Sequence, residues 1–431
     1  MDLLIVPVPL FNEENQVDAY MFKYSRGNTL LAAATDSIHL DGAMRSPILD
    51  AVATVGLEAL TMGRPVFVPI SKYALMAGPE ANCAEAPEKI IFLLEAEAFR
   101  DEAARDGARR LRGLGYRFAV RGMAPDEAFL PALDVCDFVL HEQKRFGEPA
   151  QVKLRALIAE TCPAMGNVYV GVDSMEVYQG ARQRYKGLYE GRFYRTPLSE
   201  GGNKVSPLQV NMINLLNKIR GESFDFDEAA AIIHRDPALT VSLLRMVNTV
   251  GRRESGVEIK TINGAVVMLG ENETRKWIMA AAANQLAVEK PTEIAKLSLI
   301  RAQFADALAG MFGLGEDRES LFLMGVFSVL DVMLEMPMAE ALELVPVSAD
   351  IKEALTGKTG KYGDVHKFLL DYEAADWDAA SRMMILKDLK AAQIYKAYID
   401  ALCWYRDMLS QGDGTAGAPD SGRPAEGHAS E

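Results

Sequence analysis

Through the first 198 positions, short runs of apolar, β-branched and aromatic residues alternate with amphipathic stretches. A period-2 or continuous apolar run predicts a strand, and an apolar stripe recurring every three to four residues predicts a helix. The strand-like runs fall at 3–11, 65–71, 89–95, 115–123, 136–142, 167–173 and 191–196. Between them, 51–63, 96–113, 148–162 and 174–187 are rich in Ala, Leu, Glu and Arg and predict helices. Strands alternating with helices of this length imply βαβ units and a parallel sheet. About seven strands in under 200 residues suit a trimmed barrel better than a small open sheet.

The alternation stops near Pro197, and helix follows helix from Ser206 to about Leu409. Ser206-Pro207 predicts an N-cap followed by Pro in the first turn. Leu208, Met212, Leu215, Leu216 and Ile219 then lie on one helix face, and Asp225 with Glu228 forms a capping box. Asp236-Pro237 restarts a helix whose face carries Leu239, Leu243, Met246, Val247 and Val250. The helix over 261–269 is expected to end at Gly270, and another to cover 272–286. The composition changes at SEGGNK, 199–204. The expected division is therefore 1–198 for the α/β part and 199–410 for the helical part. Residues 411–431 hold five Gly, two Pro and no aliphatic larger than Ala, so they are expected to be a disordered tail.

Composition narrows the function classes. Sixty acidic against 46 basic residues among 431 give a net charge of −14, with no Lys/Arg-rich run. That argues against nucleic acid as the main partner. The four cysteines are scattered and there are only five histidines, so no zinc-ligand spacing exists. No run of about 18 apolar residues is present, and Met1-Asp2 opens no basic leader, which predicts a cytoplasmic protein with no membrane span.

The segment IHRDPALTVSLLRMVN at 233–248, followed by TINGAVVMLG at 261–270, resembles the signature of the HDOD domain, the HD-related output domain. The resemblance implies an all-α HD-related domain that does not hydrolyse. In MGVFSVLD at 324–331, Ser328 and Val329 stand where a phosphohydrolase has His-Asp, and only His234 and His366 occur in this half. Arg235, Asp236, Pro237, Asn248 and Gly270 are the motif residues, read here as structural.

With that half identified, the first half resembles a degenerate EAL domain, through PVPLFN at 7–12, VDAYMFKY at 17–24 and GLYEGRFYRTP at 187–197. The combination is similar to the two-domain EAL–HDOD bacterial signalling family, and implies a modified TIM-type barrel before the helical domain. Many EAL domains hydrolyse cyclic di-GMP, using acidic and Asn ligands at the C-terminal ends of the barrel strands to hold divalent ions. By that resemblance Met21 replaces the motif Glu, Pro69 an Asn, Arg121-Gly122 an Asp pair, Leu140 a Lys, Glu142 an Asp, Val170 an acid and Glu190 a Gln, while Asp173 keeps a carboxylate near Val170. The Glu of the third strand falls on Leu93 or Glu95. Met, Pro, Arg and Gly cannot hold two hard cations, so neither metal nor cofactor is expected.

The expectation is a catalytically inactive signalling protein that works through protein partners. The alternative is a sensor that binds cyclic di-GMP without cleaving it, with Arg121, His141 and Arg192 as candidate contacts and Arg195 as a further phosphate ligand. An active phosphodiesterase is the last reading. Glu142, Asp173 and His141 are also a candidate acid–base cluster at the barrel mouth.

Overall fold

The computed structural model describes residues 3–26, 46–82, 86–125, 130–196, 261–287, 290–345 and 347–409, with isolated positions between 209 and 259. The first half is a closed barrel of eight strands in sequence order. They are β1 (Leu3–Phe11), β2 (Val17–Arg26), β3 (Val66–Pro69), β4 (Ile90–Glu95), β5 (Arg117–Arg121), β6 (Phe138–Glu142), β7 (Gly166–Val170) and β8 (Leu188–Glu190). β1 is antiparallel to both neighbours and every other pair is parallel.

Two strand expectations need correction. β2 is a full strand in its own right, which makes eight rather than seven. The closing strand lies at Leu188–Glu190, not at 191–196, where the chain instead turns through a 3₁₀ segment, Phe193–Arg195. The physical reason is steric. A Cβ at Gly191 would come 1.7 Å from the Val172 carbonyl oxygen, so the backbones cross here and the ladder ends.

Helices α1 (Pro47–Val55), α2 (Leu57–Thr61), α3 (Lys72–Met76), α4 (Glu102–Arg112), α5 (Leu130–Leu133), α6 (Gln143–Thr161) and α7 (Met175–Arg184) accompany the barrel. Ser71, Asp101 and Ser174 cap α3, α4 and α7 with their side-chain oxygens, as short polar residues at strand-to-helix turns do. The predicted helix at 51–63 is two helices, because Gly56 at φ +84° is not helical. Gly147, at φ +71°, likewise breaks α6 just before Pro149.

Side chains alternate across each strand. One set fills the lumen, where Leu10, Met21, Phe67, Leu93, Leu140 and Val168 form a closed apolar plug. The other set packs outward, in one continuous core that runs from the barrel into the helical half.

The helical half contains α8 (Ile262–Leu286), α9 (Thr292–Leu308), α10 (Arg318–Phe327), α11 (Leu330–Leu334), α12 (Met338–Ala341), α13 (Ala349–Gly357), α14 (Gly363–Glu373), α15 (Trp377–Leu386) and α16 (Ala391–Leu409). Thr261 caps α8, and Gly270 breaks it at φ +76°, where the sequence places a helix end. α9 and α10 approach closely at Gly325, where a Cβ would lie 2.4 Å from the Ala302 backbone. The motif residues Arg235, Asp236, Pro237 and Asn248, with His234, lie outside the described residues, as do the junction at 199–204 and the tail at 411–431. Among the described residues no helix is long and apolar enough to cross a membrane.

The two halves meet at the β1–β2 hairpin. Only Leu10 and Phe11 of β1 pair with β8, and only Tyr20 and Met21 of β2 pair with β3. The remainder of the hairpin outruns the barrel, and an unpaired strand edge needs other partners. α16 packs on β1 and on α2. The Tyr372 hydroxyl of α14 donates to the Ile5 carbonyl at 3.0 Å and accepts from the Ile5 N–H at 3.2 Å. On β2, the Tyr20 hydroxyl donates to Glu293 and accepts from Lys296 Nζ at 2.6 Å. Burial pushes the Tyr20 hydroxyl up and the Lys296 amine down.

Candidate functional site

In parallel barrels, functional groups gather at the C-terminal ends of the strands. Here the lumen-facing positions just above the apolar plug are Lys23, Pro69, Glu95, Arg121, Glu142, Val170 and Glu190, reached by stepping two residues along each strand. The charged groups are paired among themselves. Arg121 Nε lies 2.8 Å from Glu95, and Arg145 Nη1 lies 3.0 Å from Glu95 and 3.6 Å from Glu142. Lys23 pairs with Glu190 at 2.7 Å. Beside them, Lys144 reaches Asp173 at 2.7 Å and Arg192 lies 3.9 Å from it. The Lys144 ammonium holds the Asp173 carboxyl below the usual carboxylate range.

Backbone amides complete the arrangement. Gly122 N–H donates to Glu142 at 2.9 Å, and Gly171 N–H donates to Glu190 at 3.0 Å. Both glycines have positive φ, +68° and +82°. A Cβ on Gly122 would meet Glu95 at 2.4 Å and Arg145 at 2.7 Å. Glycine there lets the β5 turn approach the ion pairs, which a β-carbon at this φ would block.

The plug decides what cannot be held here. Met21 and Leu140 point into the lumen, buried among Leu10, Phe67 and Val168. Of the two third-strand candidates, Leu93 belongs to the plug and Glu95 to the mouth, where two guanidiniums engage it. Two divalent ions need several oxygen ligands converging without competing cations. The described residues do not fit them, because Glu95, Glu142, Asp173 and Glu190 each carry a Lys or Arg partner. Among the described residues no group of three or more His, Cys, Asp or Glu could hold a metal ion.

Two expected contacts, His141 and Arg195, are not brought to the mouth. His141 falls on the outer face of β6, one residue out of register with Leu140 and Glu142, and is only 3% exposed. Its ring nitrogens pair with Gln151 at 3.3 Å and Asn167 at 2.8 Å, and it stacks on Tyr169. Burial pushes its pKa down. The candidate cluster of Glu142, Asp173 and His141 therefore does not assemble. Arg195 is turned into the junction with the helical half, where it pairs with Glu373. Arg192 and Arg121 do lie at the mouth, each beside a carboxylate.

The sequence reading missed Lys23, Lys144 and Arg145. Lys23 was findable, since it sits two residues from Met21 and so shares its face of β2. Arg145, three residues past Glu142, was findable once that Glu is taken as the residue before a helix.

In the helical half, Ser328 is buried just after α10. Its hydroxyl donates to the Gly325 carbonyl at 2.7 Å and accepts from Arg301 at 3.1 Å. His366 is buried, and its Nδ1 lies 2.8 Å from the Ala354 carbonyl oxygen. Burial pushes its pKa down to about 4.

Comparison with known proteins finds a family match in the helical half. Residues 206–347 match the HDOD domain family model. The chain is 24% identical over 418 residues to the uncharacterized protein YuxH of Bacillus subtilis (strain 168), covering 95% of this chain and 99% of that protein. It is 29% identical over 273 residues to the cyclic di-GMP phosphodiesterase CdgJ of Vibrio cholerae serotype O1, covering 63% of this chain and 59% of that protein. Among solved structures it is similar to the EAL domain of FimX from Pseudomonas aeruginosa bound to c-di-GMP. That match has a TM-score of 0.37 and 16% identity, and covers 45% of this chain and 90% of that one. The chain thus joins a closed eight-stranded barrel to a helical region that contains an HDOD domain.

Proposed function

We propose that this HDOD-containing chain is a non-hydrolysing bacterial signal-transduction protein that acts in the cytoplasm through protein–protein contacts. The observation that carries the reading is the mouth of the barrel. An apolar plug stands where acidic ligands would have to converge, and the carboxylates above it are engaged by Lys23, Arg121, Lys144, Arg145 and Arg192. A metal-activated water needs open coordination positions. Guanidinium and ammonium groups paired with these carboxylates oppose a divalent ion both sterically and by charge.

The test is turnover. Purified full-length chain is incubated with cyclic di-GMP and millimolar Mg²⁺ or Mn²⁺, and linear product is followed by chromatography. No product above the buffer control is expected. Product formation that is lost on substituting Glu142 and Asp173 by Ala overturns the reading. A pull-down from the native cytosol tests the partner claim, and repeated failure to return a specific protein removes it.

One observation favours a second reading, in which the barrel binds cyclic di-GMP without cleaving it. Among the described residues five cationic side chains ring the mouth, and the relative CdgJ carries that nucleotide in its name. Calorimetric titration with and without metal decides between them. Saturable heat without metal, lost on Arg121→Ala, supports binding; no heat and no thermal shift removes it.

A further inference from the structure

Beyond their apolar contact, the halves share a buried ionic junction. Arg301 of α9 grips Glu373 of α14 with both ends of its fork, Nε to Oε1 at 2.8 Å and Nη2 to Oε2 at 2.7 Å. Arg195, from the barrel's closing segment, donates to the same Oε2 at 3.1 Å. The Arg301 and Glu373 side chains are only 4% and 6% exposed. Through Nη1, Arg301 also holds the Ser328 carbonyl at 3.3 Å and its hydroxyl at 3.1 Å. One carboxylate thus joins a guanidinium from each half, and the helical one continues to Ser328.

The barrel side of this junction is stiff. Five residues before Arg195, Glu190 sits in the mouth, held by Lys23 and by Gly171 N–H. Gly191 is wedged against the Val172 backbone, which leaves no room for a β-carbon. Phe193 stacks on Tyr178, with ring centroids 4.1 Å apart. Arg195 Nε donates to the Tyr194 hydroxyl at 3.0 Å. Packed elements of this kind shift as units rather than deforming gradually.

We propose that residues 190–195 form a strut that couples the barrel mouth to the helical half through Arg195, Glu373 and Arg301, with Ser328 as its far end. A displacement of Glu190 moves Arg195, and Arg195 shares its carboxylate with the arginine that positions the turn at Ser328. The coupling holds whichever ligand or protein acts on the mouth, so it stands apart from the question of hydrolysis.

Hydrogen exchange of the full chain, read by mass spectrometry, tests the strut. The key variant is Arg195→Met. It leaves Arg301 and Glu373 as a one-to-one pair, so no buried charge is left uncompensated. Faster exchange, on the order of tenfold, is expected both at 188–196 and at 325–330, with α4 unchanged. Glu190→Gln is expected to loosen 325–330 as well, and that remote effect is expected to vanish in the double variant with Arg195→Met. Arg195→Lys, which keeps the charge without the planar fork, is expected to fall between wild type and Arg195→Met. The proposal is overturned if Arg195→Met loosens only 188–196, or if the two substitutions act additively at 325–330. If both Arg195 variants fail to fold, the contact is a folding requirement and the coupling proposal is withdrawn.

Discussion

Replacing Tyr372 by Phe isolates one hydroxyl at the junction of the two halves. The ring keeps its packing against Phe304, Trp377 and Tyr398, so the change removes only the oxygen. That oxygen serves both the N–H and the carbonyl of Ile5, on a stretch of β1 that β8 does not reach. Tyr372 and Ile5 are both fully buried, so water cannot replace the bonds without opening the interface. Each buried backbone group left unpaired costs about 1–3 kcal/mol, which puts the total for the two at about 2–6 kcal/mol. One kcal/mol moves Tm by about 2–4 °C in domains of 150–250 residues, and by less in a longer chain. A drop of about 3 °C or more is therefore expected in a thermal scan, with faster exchange at the Ile5 amide. A Tm within about 1 °C of wild type, with Ile5 protection unchanged, would falsify the idea that this hydroxyl caps the strand edge.

Three further outcomes follow from the same geometry. Met21→Glu places a carboxylate in the apolar plug and is expected to create no activity and to lower Tm. Burial raises that carboxyl's folded pKa above its unfolded value, so the Tm deficit against wild type should be larger at pH 8 than at pH 5; an equal deficit at both refutes the burial argument. Gly325→Ala drives a methyl into the Ala302 backbone and is expected to cost about 1–3 kcal/mol or more, seen as a lower urea midpoint; a midpoint equal to wild type shows that α9 and α10 can separate freely. His366 stays neutral in the fold with its pKa lowered to about 4. The unfolded chain binds the proton below about pH 6.5, so stability present above that pH is lost as pH falls toward 4, by up to about 3 kcal/mol. His366→Gln should flatten the fall in urea midpoint between pH 6.5 and 4.5, and an unchanged slope removes His366 as its cause.

The sequence by itself determined the class of each half. Short apolar runs separated by helical stretches specify βαβ units, because strands buried on both faces need covering helices in turn, and their number suits a barrel better than an open sheet. The change to uninterrupted helical periodicity beyond Pro197 specifies the second half. Local rules also fixed the break at Gly270, since it depends on neighbouring residues alone. Met21, Pro69, Arg121 and Leu140 were equally legible as letters, and the proposal that they replace ligand-type residues rests on the resemblance alone.

Tertiary structure decided what surrounds those letters. His141 and Leu140 are adjacent in sequence, yet the pleat sends one to the outer core and the other into the plug, and a one-residue register choice cannot be read from composition. Glu95 and Arg145 are 50 positions apart and meet only because β4, β5 and β6 are neighbours in the barrel. The same holds for Arg195, which looked like a phosphate ligand in the sequence. Its charge is committed to Glu373, 178 residues away, because the hairpin edge left exposed by the barrel is covered by the helical half. Local periodicity chooses the elements, but long-range burial decides which charges are left to meet a ligand and which are used to hold the protein together.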